Sequence, residues 1–91
     1  MSQKAENLLA DLIEIKTPQR LYDVAESLRD FISKGLLREI PGENTVHKIV
    51  NGQPFPDDLI NIEFETVPGG TKYLLSCETY KGMGGVFKKI G

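Results

Sequence analysis

The stretch LINIEFETVPGGTKYLLSCET, Leu59 to Thr79, decides the fold. Successive side chains of a strand point to opposite faces. Ile60, Ile62, Phe64 and Thr66 therefore share one face, and Asn61, Glu63, Glu65 and Val67 the other. Pro68-Gly69 suits the centre of a type II turn. The chain then returns with Tyr73, Leu75, Cys77 and Thr79 on one side. Pairing across the turn sets Phe64 opposite Leu75, Ile62 opposite Cys77 and Asn61 opposite Glu78. One face of this hairpin is apolar and needs cover, so the register is specified by the pattern itself.

The cover is expected from the N-terminal third. Ala5, Leu8, Leu9, Leu12 and Ile13 recur at spacings of three and four, the period of an amphipathic helix starting near Ser2. Thr17-Pro18 reads as an N-cap followed by proline at the first helical position. Leu21, Val24, Ala25, Leu28, Phe31 and Ile32 continue the helical period as far as Gly35. That glycine is placed as a left-handed residue ending the helix, with Leu36 contacting the last turn.

Beyond Gly35 the period changes. LLREI, ended by Pro41-Gly42, and TVHKIV, ended by Asn51-Gly52, read as short extended runs. Residues 51–58 hold Pro54 and Pro56 and are expected to form an irregular crossing loop. VFKKI, after the glycines, is expected as a last short strand. The expected architecture is α+β: two N-terminal helices packed on one face of an antiparallel sheet of three or four strands.

A chain of 91 residues opening on Met1 is expected to be one complete small domain. One cysteine, Cys77, allows neither an intramolecular disulfide nor a multi-cysteine metal site, and a reducing, cytoplasmic setting is the expectation. The first 16 residues mix acids into their apolar positions, which suits neither a signal peptide nor a membrane span. The net charge is −2, with 11 basic and 13 acidic residues distributed evenly about Pro41. Non-specific nucleic-acid binding rests on concentrated positive charge, so this balance argues against it.

The nearest thing to a chemical motif is TYKGMGGVFKK, residues 79–89. A phosphate-cradling glycine loop leads from a strand into a helix whose first amides meet the anion. Here the residues after Gly85 read as strand, so a hairpin loop over 81–85 with positive φ at two or three positions is expected. A subsidiary reading gathers an anion at Lys81, Gly82, Gly84 and Gly85. Cys77 with His47 as base would make a nucleophile, but Cys77 alternates with Tyr73 and Leu75 and should point into the core. The lone His47 supports no histidine-based metal cluster, and Asp57-Asp58 suits a solvated turn. No catalytic residue, cofactor or metal is expected.

The outward face of the hairpin is the remaining candidate. Glu63 and Glu65 lie two residues apart, roughly 7 Å on a strand, and share that face with Leu74, Glu78 and Tyr80. An exposed face does not separate carboxylate pKa values as acid–base catalysis requires. Apolar and charged side chains mixed together suit a protein interface better. The functional expectation is a small intracellular binding protein that meets another protein, as an inhibitor or immunity-type partner of a toxin or enzyme does. The acids on this face suit a basic partner. The alternative comes from LRDFISKGLLREI, residues 28–40, which resembles the helix-to-wing passage of winged-helix DNA-binding domains. That resemblance implies a DNA-binding regulator, although the helix before it carries Arg20, Arg29 and Lys34 against Asp23, Glu26 and Asp30. A small-ligand role for the glycine loop comes third.

Overall fold

The computed structural model describes residues 12–67, 69–79 and 84–91. Five strands form one antiparallel sheet: β1 (Leu12–Ile15), β2 (Leu37–Ile40), β3 (Leu59–Thr66), β4 (Lys72–Glu78) and β5 (Gly84–Lys89), in the order β1-β5-β4-β3-β2. One helix, α1 (Pro18–Ser33), joins the two edge strands β1 and β2. The class is α+β, but the expected pair of helices on three or four strands is wrong among the described residues.

The difference begins at Leu12. The expected first helix ended in Leu12 and Ile13, yet Leu12–Ile15 pairs along β5, with Ile13 opposite Phe87 and Ile15 opposite Gly85. Ile13 and Ile15 alternate with Glu14 and Lys16, so this segment fits a strand as well as a helix. The free edge of β5 decides between them, because its backbone groups need partners. Thr17, before a proline, is extended, with φ −134° and ψ 153°, which rules out a helix running unbroken into α1. The earlier part of that expected helix, residues 1–11, lies outside the described residues.

Helix α1 follows its signals. The Thr17 side chain accepts a hydrogen bond from the Arg20 amide at 3.1 Å, with Pro18 in the first turn. At the other end the Leu36 amide donates to Phe31 O and the Gly35 amide to Ile32 O, both at 3.0 Å, with Gly35 at φ +75°. These are the two bonds of a Schellman cap. Leu36 does not pack back as expected: it is exposed, and Leu37 is buried in its place. Sixteen residues make a helix about 24 Å long. That length crosses five strands spaced about 4.8 Å apart, carrying the chain from one sheet edge to the other. Leu21, Val24, Ala25, Leu28 and Phe31 of α1 pack with Ile15, Leu37, Ile60, Ile62, Phe64, Tyr73, Leu75, Cys77 and Phe87 of the sheet in one core.

The β3–β4 hairpin carries the expected faces with a different register. Ile62 lies opposite Leu75, Phe64 opposite Tyr73, Asn61 opposite Ser76 and Leu59 opposite Glu78. The register is two residues from the expected one, and an even slip leaves every side chain on its face. The observed register is the one a loop centred on positions 68–69 dictates, since counting back from it sets Thr66 opposite Thr71 and Phe64 opposite Tyr73; the expected pairing did not follow from that turn. Thr66 N donates to Thr71 O at 2.9 Å, Gly70 N to Thr66 O at 3.1 Å and Thr71 N to Thr66 Oγ1 at 2.9 Å. Both Gly69 and Gly70 have positive φ, so the loop uses two left-handed residues where a type II turn needs one.

TVHKIV is not a strand. Val46–Lys48 is a single 3-10 turn capped by Thr45, whose side chain accepts from the His47 amide at 3.3 Å. Val46 and Ile49 are both fully buried and three residues apart, matching the three-residue period of that turn. Strand alternation would instead have aligned Val46 with Lys48. The segment is held from two sides: Glu39 Oε1 accepts from Val46 N at 2.8 Å and Thr45 Oγ1 at 3.1 Å, while Arg29 donates to Val46 O and Ile49 O at 3.1 and 2.5 Å. Further along, Tyr22 stacks on Phe55 at 4.8 Å and donates its hydroxyl to Gln53 O at 2.7 Å. No described helix is long and apolar enough to cross a membrane.

Candidate functional site

With α1 on one face of the sheet, strand parity assigns the other face. Its residues form rows across the strands. Arg38, Glu65 and Lys72 make one row; Ile40, Glu63, Leu74 and Lys88 the next; Asn61, Ser76, Val86 and Glu14 the third; Leu59, Glu78 and Gly84 the last. Of the expected partner-binding residues, Glu63, Glu65, Leu74 and Glu78 all stand here, and Tyr80 lies outside the described residues. Leu74, Ile40 and Val86 are half-buried, and Leu59 is 53% exposed. Leu74 and Val86 are diagonal neighbours across β4 and β5, so the middle of the face is apolar.

The charges on this face are mixed rather than acidic. Arg38 is ion-paired with Glu65. The hydrogen bond from Arg38 holds the Glu65 carboxyl below the usual carboxylate range against partial desolvation, with the charges of Arg38 and Lys72 acting in the same direction. Glu14 pairs with Lys16 at 3.7 Å. Glu63, Glu78, Lys72 and Lys88 make no salt bridge among the described residues. Arg38, Ile40, Lys72, Val86 and Lys88 were missed as members of this surface. The signal was present: Lys72 is two residues from Leu74, and the same alternation that turned the glutamates outward turns Lys72 outward too.

The glycine motif resolves differently from the expected loop. Lys81 and Gly82 lie outside the described residues, while Gly84 and Gly85 belong to β5 and neither has positive φ. Gly85 sits opposite Cys77 on one side and Ile15 on the other. A Cβ there would fall 2.6 Å from Cys77 Sγ, 2.6 Å from Ser76 O and 2.8 Å from Cys77 Cα. The glycine is set by close packing between strands, not by turn geometry.

The other candidates gain no chemistry. Cys77 is 1% exposed in the core, and burial pushes its thiol up to about 11, away from the thiolate a nucleophile needs. His47 is exposed on the 3-10 turn, and Asp57 and Asp58 are exposed in the loop before β3. Among the described residues no three histidine, cysteine or acidic side chains converge on a metal position. A cleft of about 270 Å³ lies between α1 and the loop after the 3-10 turn, lined by Tyr22, Asp23, Glu26, Arg29, Val50 and Asn51. Arg29 already donates to two carbonyls, and Tyr22 is stacked and hydrogen-bonded, so these two are committed to holding the loop. Segment 28–40, the stretch resembling a helix-to-wing passage, runs from the last turns of α1 through its cap into edge strand β2.

No protein-family model, curated protein or solved structure matches this chain.

Proposed function

We propose that the protein is a small binding module that meets another protein through the outer face of its sheet. One observation carries this reading. Helix α1 packs on one face only, and among the described residues nothing lies over the half-buried Ile40, Leu74 and Val86 on the other. An apolar centre ringed by charges of both signs has the make-up of a non-obligate protein interface. Such a face would serve docking on a second folded surface, with Leu74 as the central anchor and the charges setting orientation.

Chemical footprinting tests the proposal without a known partner. Lysines and carboxylates are labelled in the native cell extract and, separately, in the purified chain at high dilution. Lys72, Lys88, Glu63 and Glu78 should react less in the extract, while Lys34 and Lys48, which lie off this face, react equally in both. Equal labelling of the outer-face residues in the extract, in the diluted chain and in the purified chain at about 1 mM would refute the reading.

A further inference from the structure

We propose that the occupant of the outer face is a second copy of this chain, docked face to face about a two-fold axis that runs across the strands. The inference rests on the reading of this face as a protein-binding surface and names its partner. It starts from the charges left over after internal pairing. With Arg38 paired to Glu65 and Lys16 to Glu14, the charged side chains of the face that make no salt bridge among the described residues are two lysines, Lys72, which stands opposite the already paired Glu65, and Lys88, and two glutamates, Glu63 and Glu78. That set is neutral, and it suits a like surface better than a uniformly basic or acidic one.

Position along β4 fixes the orientation. Lys72 and Glu78 stand at the two ends of this central strand on the same face, about 20 Å apart by the strand rise. Rotation about an axis across the strands lays β4 antiparallel over its copy. Lys72 of each protomer then meets Glu78 of the other, giving two equivalent ion pairs at the ends of the contact. Between them Leu74 faces Ser76 of the copy, so a large side chain meets a small one on each side of the axis. The alternative axis, along the strands, would set lysine on lysine and glutamate on glutamate, and like-charge repulsion disfavours it.

Docking by the face is also favoured over docking by an edge. The edge strands β1 and β2 are four residues each, and β2 ends at Ile40, just before Pro41. Short edges broken by proline are poor templates for strand addition. The face measures at most roughly 24 Å across five strands and about 20 Å along them, or about 480 Å², well below the ~800 Å² that each partner of a standard interface buries. A contact of this size belongs with weak, transient associations, and it should loosen as salt screens the two end pairs.

Sedimentation equilibrium of the purified full-length chain from about 5 μM to about 1 mM measures the association. The wild type should pass from monomer to dimer over this range. Lys72→Glu and Glu78→Lys should each weaken association about tenfold or more, since each places like charges together twice in the dimer. The doubly exchanged Lys72→Glu/Glu78→Lys chain restores opposite charges and should recover most of the affinity. Both residues are exposed, so the variants should keep the wild-type melting temperature, checked in parallel. A dimer indifferent to both single changes, or one that the double exchange fails to rescue, would overturn the docking. A chain still monomeric at the highest concentration would overturn the second copy as partner. In that case protection of Lys72 and Lys88 in the native extract would still uphold the binding face, and its absence would remove both readings together.

Discussion

Replacing Gly85 with alanine tests whether close packing explains the glycine motif. The added methyl would sit 2.6 Å from Ser76 O and 2.8 Å from Cys77 Cα, and both are backbone atoms of β4, which is paired on each side by β3 and β5. A backbone held between two ladders cannot retreat without breaking hydrogen bonds. The third contact, Cys77 Sγ at 2.6 Å, is a side chain buried in the core. Overpacking of this kind costs ~1–3 kcal/mol, and rigid neighbours place this site at the upper end. Alanine narrows the unfolded ensemble and returns only ~0.4–1 kcal/mol. The net loss should be about 2 kcal/mol, or roughly 8–16 °C in melting temperature for a domain this size. At Gly84, one residue earlier, an added methyl would have nothing within 4 Å, so Gly84→Ala should stay within ~0.5 kcal/mol of wild type. Urea unfolding of both variants measures the difference. Adding Cys77→Ala to Gly85→Ala removes the sulfur contact but neither backbone one, so that chain should remain well below wild type. Equal stability of Gly84→Ala and Gly85→Ala would refute the packing argument.

Glu39→Ala leaves the buried Val46 without its carboxylate acceptor and should cost about 1–3 kcal/mol. Amide exchange at Val46 should accelerate more than exchange in β3; uniform acceleration would mean that Glu39 supports the sheet rather than the 3-10 turn. Glu65 has its pKa depressed in the folded state, so its stabilising effect is present above its unfolded value of 4.5 and fades as pH falls through the folded one. Arg38→Met should raise the Glu65 pKa towards that value in an NMR titration, and an unmoved titration would show that Arg38 does not hold it.

The sequence carried the outline of this fold wherever one local signal acted without competition. The Thr17-Pro18 start and the Gly35 stop of α1 are such signals, because each satisfies helix-end backbone groups with residues adjacent in sequence. Leu12–Ile15 was ambiguous for the opposite reason. Its residues fit a helical and an alternating period equally, and what chose between them was an unpaired edge at the far end of the chain, in β5. Val46–Lys48 failed in the same manner: a β-branched composition favours a strand, but Glu39 and Arg29 supply the backbone bonds that a strand partner would have supplied. Composition is a local property, and these outcomes were decided by partners distant along the chain.

The candidate face shows how a wrong register still yields the right surface, and where that surface was misread. The expected pairing stood two residues from the one that a turn at positions 68–69 sets, and faces survive any even shift, so Glu63, Glu65, Leu74 and Glu78 remained together. Parity applied to every strand would also have brought Lys72, Lys88 and Arg38 to the same side. Reading only the acids made the face look like a lure for a basic partner. With the lysines included, Glu65 already faces Arg38, and the unmatched charges cancel in sign. Long-range attraction scales with net charge, whereas docking specificity depends on where opposite charges fall. A neutral face with Lys72 and Glu78 at opposite ends of its central strand therefore has little power to steer a distant partner, and selects instead one that repeats its own spacing in reverse.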